Sequence, residues 1–335
     1  MTQNTPPSPR TVYEVRDRVL SAAQLRARGV TAAQTAAQCL PGGPWQQLLP
    51  GVYLLHSGTP TDEDRVHGAL LYGGRQPAAV RRTVPAQTGP GYGDAMVTGL
   101  AALALYGFAS APPTIALHRI DVLVPRTRRL RSTRFVQVTR AAVLPRPQRR
   151  LGVPLAPVER ALADTVSALT DAPTVRRILD EAVRGGHCEP VSVVRELNEA
   201  KLLGRPHVAD AVDALLVEGR AVAEGRLYEM VRTHGLPEPL WNVELSLPGG
   251  RLLGGVDAYW PEQAVALELG TRSPREDRVA FAAEREHLER LGVTVVRVTP
   301  RQLREVMPQQ AVVLRTAMMA AEDREPATYV VVLPR

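Results

Sequence analysis

At 335 residues the chain is longer than one hydrophobic core usually organises, so two or three domains are expected, and its 44% hydrophobic content excludes a disordered polymer. The formal charge of +7 comes from 41 basic against 34 acidic residues, and Lys201 is the one lysine, so the positive charge is almost wholly arginine. That bias suits bidentate grasp of phosphate or guanine edges, and a GC-rich genome would produce it equally. The longest apolar stretch, Leu100 to Ala111, is too short to cross a bilayer, and Met1 to Arg10 is polar and Pro-rich with no apolar signal core. Residues 1–10 are therefore expected to be a disordered tail, with no membrane partner and a cytoplasmic location. Cys39 and Cys188 lack any paired spacing, which suggests neither a disulfide framework nor a zinc site, and both read as small core residues.

In chain order, Ser21-Ala22-Ala23-Gln24 and Thr31-Ala32-Ala33-Gln34 are capping boxes that start helices on either side of Gly29. Pro41-Gly42-Gly43-Pro44 ends the second helix, and Trp45–Leu48 and Val52–His56 flank the turn Leu49-Pro50-Gly51 as a short hairpin. Helix, tight turn, helix, hairpin is the order of a winged helix-turn-helix, expected over residues 11–58. Thr61-Asp62-Glu63-Asp64 opens another helix, and residues 94–106 read as a buried helix because apolar side chains occupy nearly all faces. Ile120–Val124 and Phe135–Val138 read as strands in a stretch where ten arginines between Arg119 and Arg150 face one acid, Asp121. Residues 157–218 read as helical, and Gly219–Gly225 as a linker. A central α/β and helical domain is thus expected over residues 59–222.

Strands are predicted at Leu240–Leu247, Arg251–Ala258 and Val265–Leu269, followed by a helix started by Ser273-Pro274-Arg275-Glu276 and stopped at Gly292. A strand at Val293–Val298 and a second helix start, Thr299-Pro300-Arg301-Gln302, complete the pattern. Helix, three strands, helix, strand, helix is the core order of a PD-(D/E)XK nuclease-like domain, a restriction-endonuclease-like α/β/α fold, expected over residues 223–335. The fold class is α+β multidomain.

In that fold two carboxylates on neighbouring strands hold Mg²⁺, and a third polar side chain two residues after the second acid orients the attacking water. Asp257 and Glu268 have that spacing, but the third position is Gly270, so the candidate catalytic and metal-binding set is degenerate. Glu229, on the helix before the first strand, is a further candidate acid, and Glu276, Asp277, Glu286 and His287 on the following helix could replace the missing group. Glu284-Ala-Arg-His287 alone reads as a surface turn. In the first domain, Gln34, Thr35 and Gln38 of the candidate recognition helix could read bases, with Arg16, Arg18, Arg26 and Arg28 nearby, or residues elsewhere in the chain, as phosphate anchors. Arg126, Arg128, Arg129, Arg131 and Arg134 form the densest positive patch, which is either a phosphate-binding segment or a solvated hairpin tip. Gly89-Pro-Gly91-Tyr-Gly93 fits no phosphate-loop spacing and reads as a mobile loop.

The end-to-end pattern resembles the AbiEi-type abortive-infection antitoxin-like proteins of actinobacteria, which join a winged helix to a domain like the very-short-patch-repair endonucleases. The likeness is carried by Trp45 to Tyr53, Val97 to Gly107, Pro157 to Asp164, Gly235-Leu236-Pro237-Glu238-Pro239, and Val256 to Pro261 through Glu268 to Arg297. In such proteins an Asp typically stands where this chain has Gly270. The resemblance implies a DNA-binding antitoxin-like or transcription-regulator protein with double-stranded DNA as partner, and the departure at Gly270 implies lost cleavage and no cofactor. It also implies a cognate nucleotidyltransferase toxin, and two-fold operators suggest a homodimer. The alternatives are an active Mg²⁺-dependent endonuclease and a protein-interaction scaffold without DNA affinity.

Overall fold

The capping boxes read from the sequence are formed. Ser21, Thr31 and Thr61 each accept a bond from the backbone N–H three residues on, and that residue's side chain takes the cap's own N–H in return. The computed structural model describes residues 15–75, 91–270, 278–322 and 330–334. The expected tail 1–10, Gly89 of the glycine loop, the helix start Ser273–Glu276 and Asp277 lie outside the described residues. The chain divides into two compact units, Met1–Glu181 and Ala182–Arg335, and the fold is mixed α and β, with three sheets among the described residues. No described helix is long and apolar enough to cross a membrane.

In the first unit, residues 15–18 are helical and lead into β1 (Val19–Ser21), α1 (Ala22–Ala27) and α2 (Ala32–Gln38). Gly29 turns the chain between the two helices at φ 83°, and the Val30 N–H closes the motif on the Leu25 carbonyl at 3.0 Å. β2 (Gln46–Leu49) and β3 (Val52–Leu54) form the expected hairpin, and β3 pairs antiparallel with β1, so the small sheet has the order β1-β3-β2. α3 (Asp62–Gly73) follows.

The expected helix over residues 94–106 is instead a strand, β4 (Met96–Thr98), followed by α4 (Gly99–Tyr106). Met96, Val97 and Thr98 pair with Leu123, Val122 and Asp121, and Gly99 at φ 63° makes the corner where the strand becomes helix. Apolarity on all faces marked burial correctly, but it does not distinguish a central strand from a buried helix. β5 (Ile120–Pro125), β6 (Val136–Ala141), β7 (Gln148–Arg150) and β8 (Val153–Leu155) complete a sheet of order β6-β5-β4-β8-β7, and α5 (Val158–Ala168) follows. β5 and β6 are parallel, so the Arg-rich segment between them is not a hairpin tip. A parallel pair cannot close through a tight turn, and residues 126–135 must carry the chain back along the strands. α6 (Ala172–Arg184) spans the division between the units.

The second unit begins with α7 (Pro190–Glu199) and α8 (Pro206–Thr233). The expected linker Gly219–Gly225 is the interior of α8. Gly219 is there for contact, since a Cβ on it would lie 2.3 Å from Cγ of Pro190 in α7. β9 (Leu240–Ser246), β10 (Leu252–Trp260) and β11 (Val265–Leu269) form an antiparallel meander; α9 (Arg278–Arg290) then leads to β12 (Thr294–Val298), parallel to β11. Thr299 caps α10 (Pro300–Glu305) with the expected box, α11 (Met307–Glu322) follows, and β13 (Val331–Pro334) adds to β9. One apolar cluster joins Leu227 and Met230 of α8 to Trp260, Leu267 and Leu314, and a second joins Leu245 and Tyr259 to Leu288 of α9. Helices thus supply core side chains to a sheet whose middle strands, β10 and β11, carry the two candidate acids.

Candidate functional site

The exposed side of α2 is mostly alanine: Ala32, Ala33, Ala36 and Ala37, with Gln34 among them. Thr35 does not belong to that face. It is buried, and its hydroxyl donates to the Thr31 carbonyl at 2.9 Å. The Gln34 Oε1 accepts from the Thr31 N–H at 2.8 Å and hydroxyl at 2.9 Å, so the residue predicted to read a base is folded back as the helix cap. A capping-box Gln and a base-reading Gln look alike in sequence, and the local bonds decide between them. Gln38 is half-buried. Arg26 is exposed and donates to the Ala22 carbonyl of its own helix, and Arg28 makes a surface pair with Asp17 at 3.3 Å, an interaction of little energetic weight.

The Arg-rich segment is fastened to the β2–β3 hairpin. Arg134 donates from Nη1 to the Gln47 and Leu48 carbonyls at 2.8 and 3.0 Å. Arg75, at the end of α3, donates to the Pro50 carbonyl in the hairpin turn at 2.8 Å, and its own carbonyl accepts from Arg128 at 3.1 Å. The Tyr72 hydroxyl donates to the Arg131 carbonyl at 2.7 Å, and Arg140 donates to the carbonyls of Arg128 and Leu130. Two of the five residues predicted to meet phosphate, Arg128 and Arg134, therefore hold the segment's shape. Arg126, Arg129 and Arg131 of the same segment remain exposed. None of the three makes a side-chain hydrogen bond or ion pair among the described residues. The sequence could not sort these five, because their partners are backbone carbonyls far along the chain.

In the second unit, Ala258 pairs with Leu267, and one step further along this register stand Asp257 on β10 and Glu268 on β11. The acids occupy neighbouring positions on adjacent strands, as their spacing predicts. Asp257 is buried at 5% exposure, with each carboxylate oxygen already bonded. Oδ1 accepts from Nη2 of Arg220 at 2.7 Å and Oδ2 from the Leu269 N–H at 2.6 Å. Arg220 lies on α8, where its Nε also donates to Glu224 at 2.7 Å. Glu268 is in register with Arg297 of β12, and a Cβ placed on Gly270 would come within 3.7 Å of the Arg297 Nε.

Glu229 does not share this setting. At about 100° and 1.5 Å per residue, it is half a revolution around α8 from Arg220 and further along the axis, and it is exposed. The helix residue that reaches Asp257 is a cation that sequence reasoning passed over. Its only signal was position: the helix preceding the first strand faces that strand. Glu284 was also missed, since its stretch read as a surface turn. It lies within α9, its Oε2 3.3 Å from where a Gly254 Cβ would stand. His287 on the same helix is half-buried, and Glu286 is exposed and bonded to Arg290 at 2.5 Å. Among the described residues, no group of three or more His, Cys, Asp or Glu side chains is placed to hold a metal ion. Neither a protein-family model nor a curated protein matches this chain.

Proposed function

We propose that the chain is a cytoplasmic, DNA-binding antitoxin-like or transcription-regulator protein, with an N-terminal winged helix-turn-helix and a PD-(D/E)XK nuclease-like C-terminal domain that does not cleave. The observation that carries the reading is the Arg-rich segment tied to the β2–β3 hairpin, with Arg126, Arg129 and Arg131 exposed. In a winged helix the hairpin is the wing, which lies along the nucleic-acid backbone, so a segment whose backbone is fastened to it brings its exposed guanidiniums to phosphates with only their side chains left to order. The alanine face of α2 permits close approach to a groove floor but supplies few base contacts, which assigns most of the affinity to phosphate. Sheet order β1-β3-β2 around two capped helices supports the first domain, and the meander followed by a parallel strand supports the second. The antitoxin likeness rests on the residues quoted above and extends the proposal to a nucleotidyltransferase toxin as partner and a homodimer on two-fold DNA.

The test is fluorescence anisotropy with duplex DNA over a salt series. Each phosphate contact contributes a log-log slope of about −0.9. Replacing Arg126, Arg129 and Arg131 together by Ser should flatten the slope by about 2.7. An unchanged slope, or no salt-sensitive retention by the unaltered protein, would sink the reading. The rival, a Mg²⁺-dependent endonuclease, has the Arg220 pairing of Asp257 against it. Plasmid cleavage in Mg²⁺ or Mn²⁺ that disappears in Glu268→Ala would establish the rival instead.

A further inference from the structure

The acids on β10 and β11 invite a divalent cation, and the residues around them do not fit one. Both oxygens of Asp257 have donors, one from Arg220 and one from the Leu269 amide. Gly270 brings no side-chain donor, and Arg297 sets a second guanidinium beside it. We propose that Arg220 is the resident cation of this site, a side chain that supplies the positive charge Asp257 requires and so excludes Mg²⁺.

The Asp257 side chain is 6% exposed, and a carboxylate so enclosed needs a counter-ion with good geometry. A guanidinium on α8 meets that need without the dehydration that Mg²⁺ resists. Glu224 accepts from Nε of Arg220 while Asp257 accepts from Nη2, so the cation is held by two acids. An entering metal would have to displace it and leave a positive charge next to its own. Gly270 follows from the same logic, because a water-orienting group has no task where no metal holds the water. The site remains latent. With Arg220 gone, Asp257 and Glu268 still stand on adjacent strands, and a Cβ at Gly270 would make only ordinary contacts, the nearest 3.4 Å to Thr299.

The proposal rests on the reading of the second unit as a non-cleaving nuclease-like domain, and loss of DNA binding through the first unit would leave it standing. The experiment uses the full chain with Mn²⁺ as the probe, reading melting temperature in Mn²⁺ against EDTA and bound Mn²⁺ by electron paramagnetic resonance. The unaltered protein should bind none and melt at one temperature in both buffers. Arg220→Gln should melt lower, and Mn²⁺ at about ten times its dissociation constant should raise its melting temperature by about 3 °C or more. Adding Gly270→Asp should enlarge that rise, and adding Asp257→Asn should abolish it. Mn²⁺ binding by the unaltered protein that Asp257→Asn removes would overturn the proposal, as would Arg220→Gln variants that fold and gain no binding. If Arg220→Gln does not fold without metal, refolding decides. Native circular dichroism regained only in Mn²⁺ supports the proposal, and none regained refutes it.

Discussion

Two buried aspartates, one in each unit, are held in nearly the same way. Asp64, the third residue of α3, has a fully buried side chain, with Arg18 bonded to Oδ1 at 2.7 Å and the Thr61 N–H to Oδ2 at 2.9 Å. Asp257 has Arg220 on Oδ1 at 2.7 Å and the Leu269 N–H on Oδ2 at 2.6 Å. The arginines are also alike in exposure, at 31% and 33%. Asp64 is a helix-capping acid with no metal-site spacing around it, and Asp257 occupies the position where a nuclease would bind its ion. The same geometry in both places argues that Asp257 does what Asp64 does: each ties its own element to an arginine on a helix through a buried charge pair.

If the likeness is real, Arg220→Ala and Arg18→Ala should cost similar amounts. Each leaves a buried carboxylate without its partner, a loss of about 2–4 kcal/mol once the partial exposure of the arginine is discounted. Hydrogen exchange reports each unit separately, and an Arg220→Ala loss far below that of Arg18→Ala would break the comparison. Acid should separate the units. His67, buried near Asp64 and bonded to Tyr92, has its pKa lowered by desolvation from 6.5 to about 4. The unfolded chain then takes up the proton first, so this contribution is intact above pH 6.5 and declines as the pH falls toward 4. The loss reaches about 3 kcal/mol. Exchange protection of the first unit should fall over that window, and His67→Gln should flatten the dependence.

A smaller effect tests what sets Arg220 in place. Its neighbour Gly219 is pressed against Pro190, so Gly219→Ala should cost about 1–3 kcal/mol. Gly225, with open space around it on the same helix, should gain about 0.5–1 kcal/mol on replacement by Ala. Urea melts of the two variants should move in opposite directions. The smallest stability change belongs to the exposed arginines. Replacing Arg126, Arg129 and Arg131 by Ser should alter stability by under about 0.5 kcal/mol, whereas Arg134→Ala, which frees two hairpin carbonyls, should cost about 1 kcal/mol. Equal costs would mean that the segment is not fastened as described.

Much of the fold was legible because its signals are local. Ser21, Thr31, Thr61 and Thr299 cap helices through bonds to residues three positions away, and the succession of β9 to β12 along the chain followed from turns and β-branched runs, whereas β13 was not read. The adjacency of Asp257 and Glu268 was legible too, since two strands joined by a short connection must pair. Other features were misread where one residue type serves two purposes. Gly219 resembles a linker glycine until Pro190 is beside it, and Met96–Thr98 resembles the start of a helix until β5 pairs with it. Glu229 was chosen because an acid on that helix suits a metal site, and the helical turn sends it to the opposite face from Arg220.

By itself the sequence determined where the helices with capping boxes start, which runs are apolar, and that position 270 has no side chain with which to ready a water. Only the tertiary structure decided which charges are already engaged. An arginine's reach is long and its five donors accept carbonyl, carboxylate or phosphate alike, so its role depends on what folding brings within hydrogen-bond distance. For Arg134 that partner is a hairpin and for Arg220 a buried acid, while Arg126, Arg129 and Arg131 face solvent.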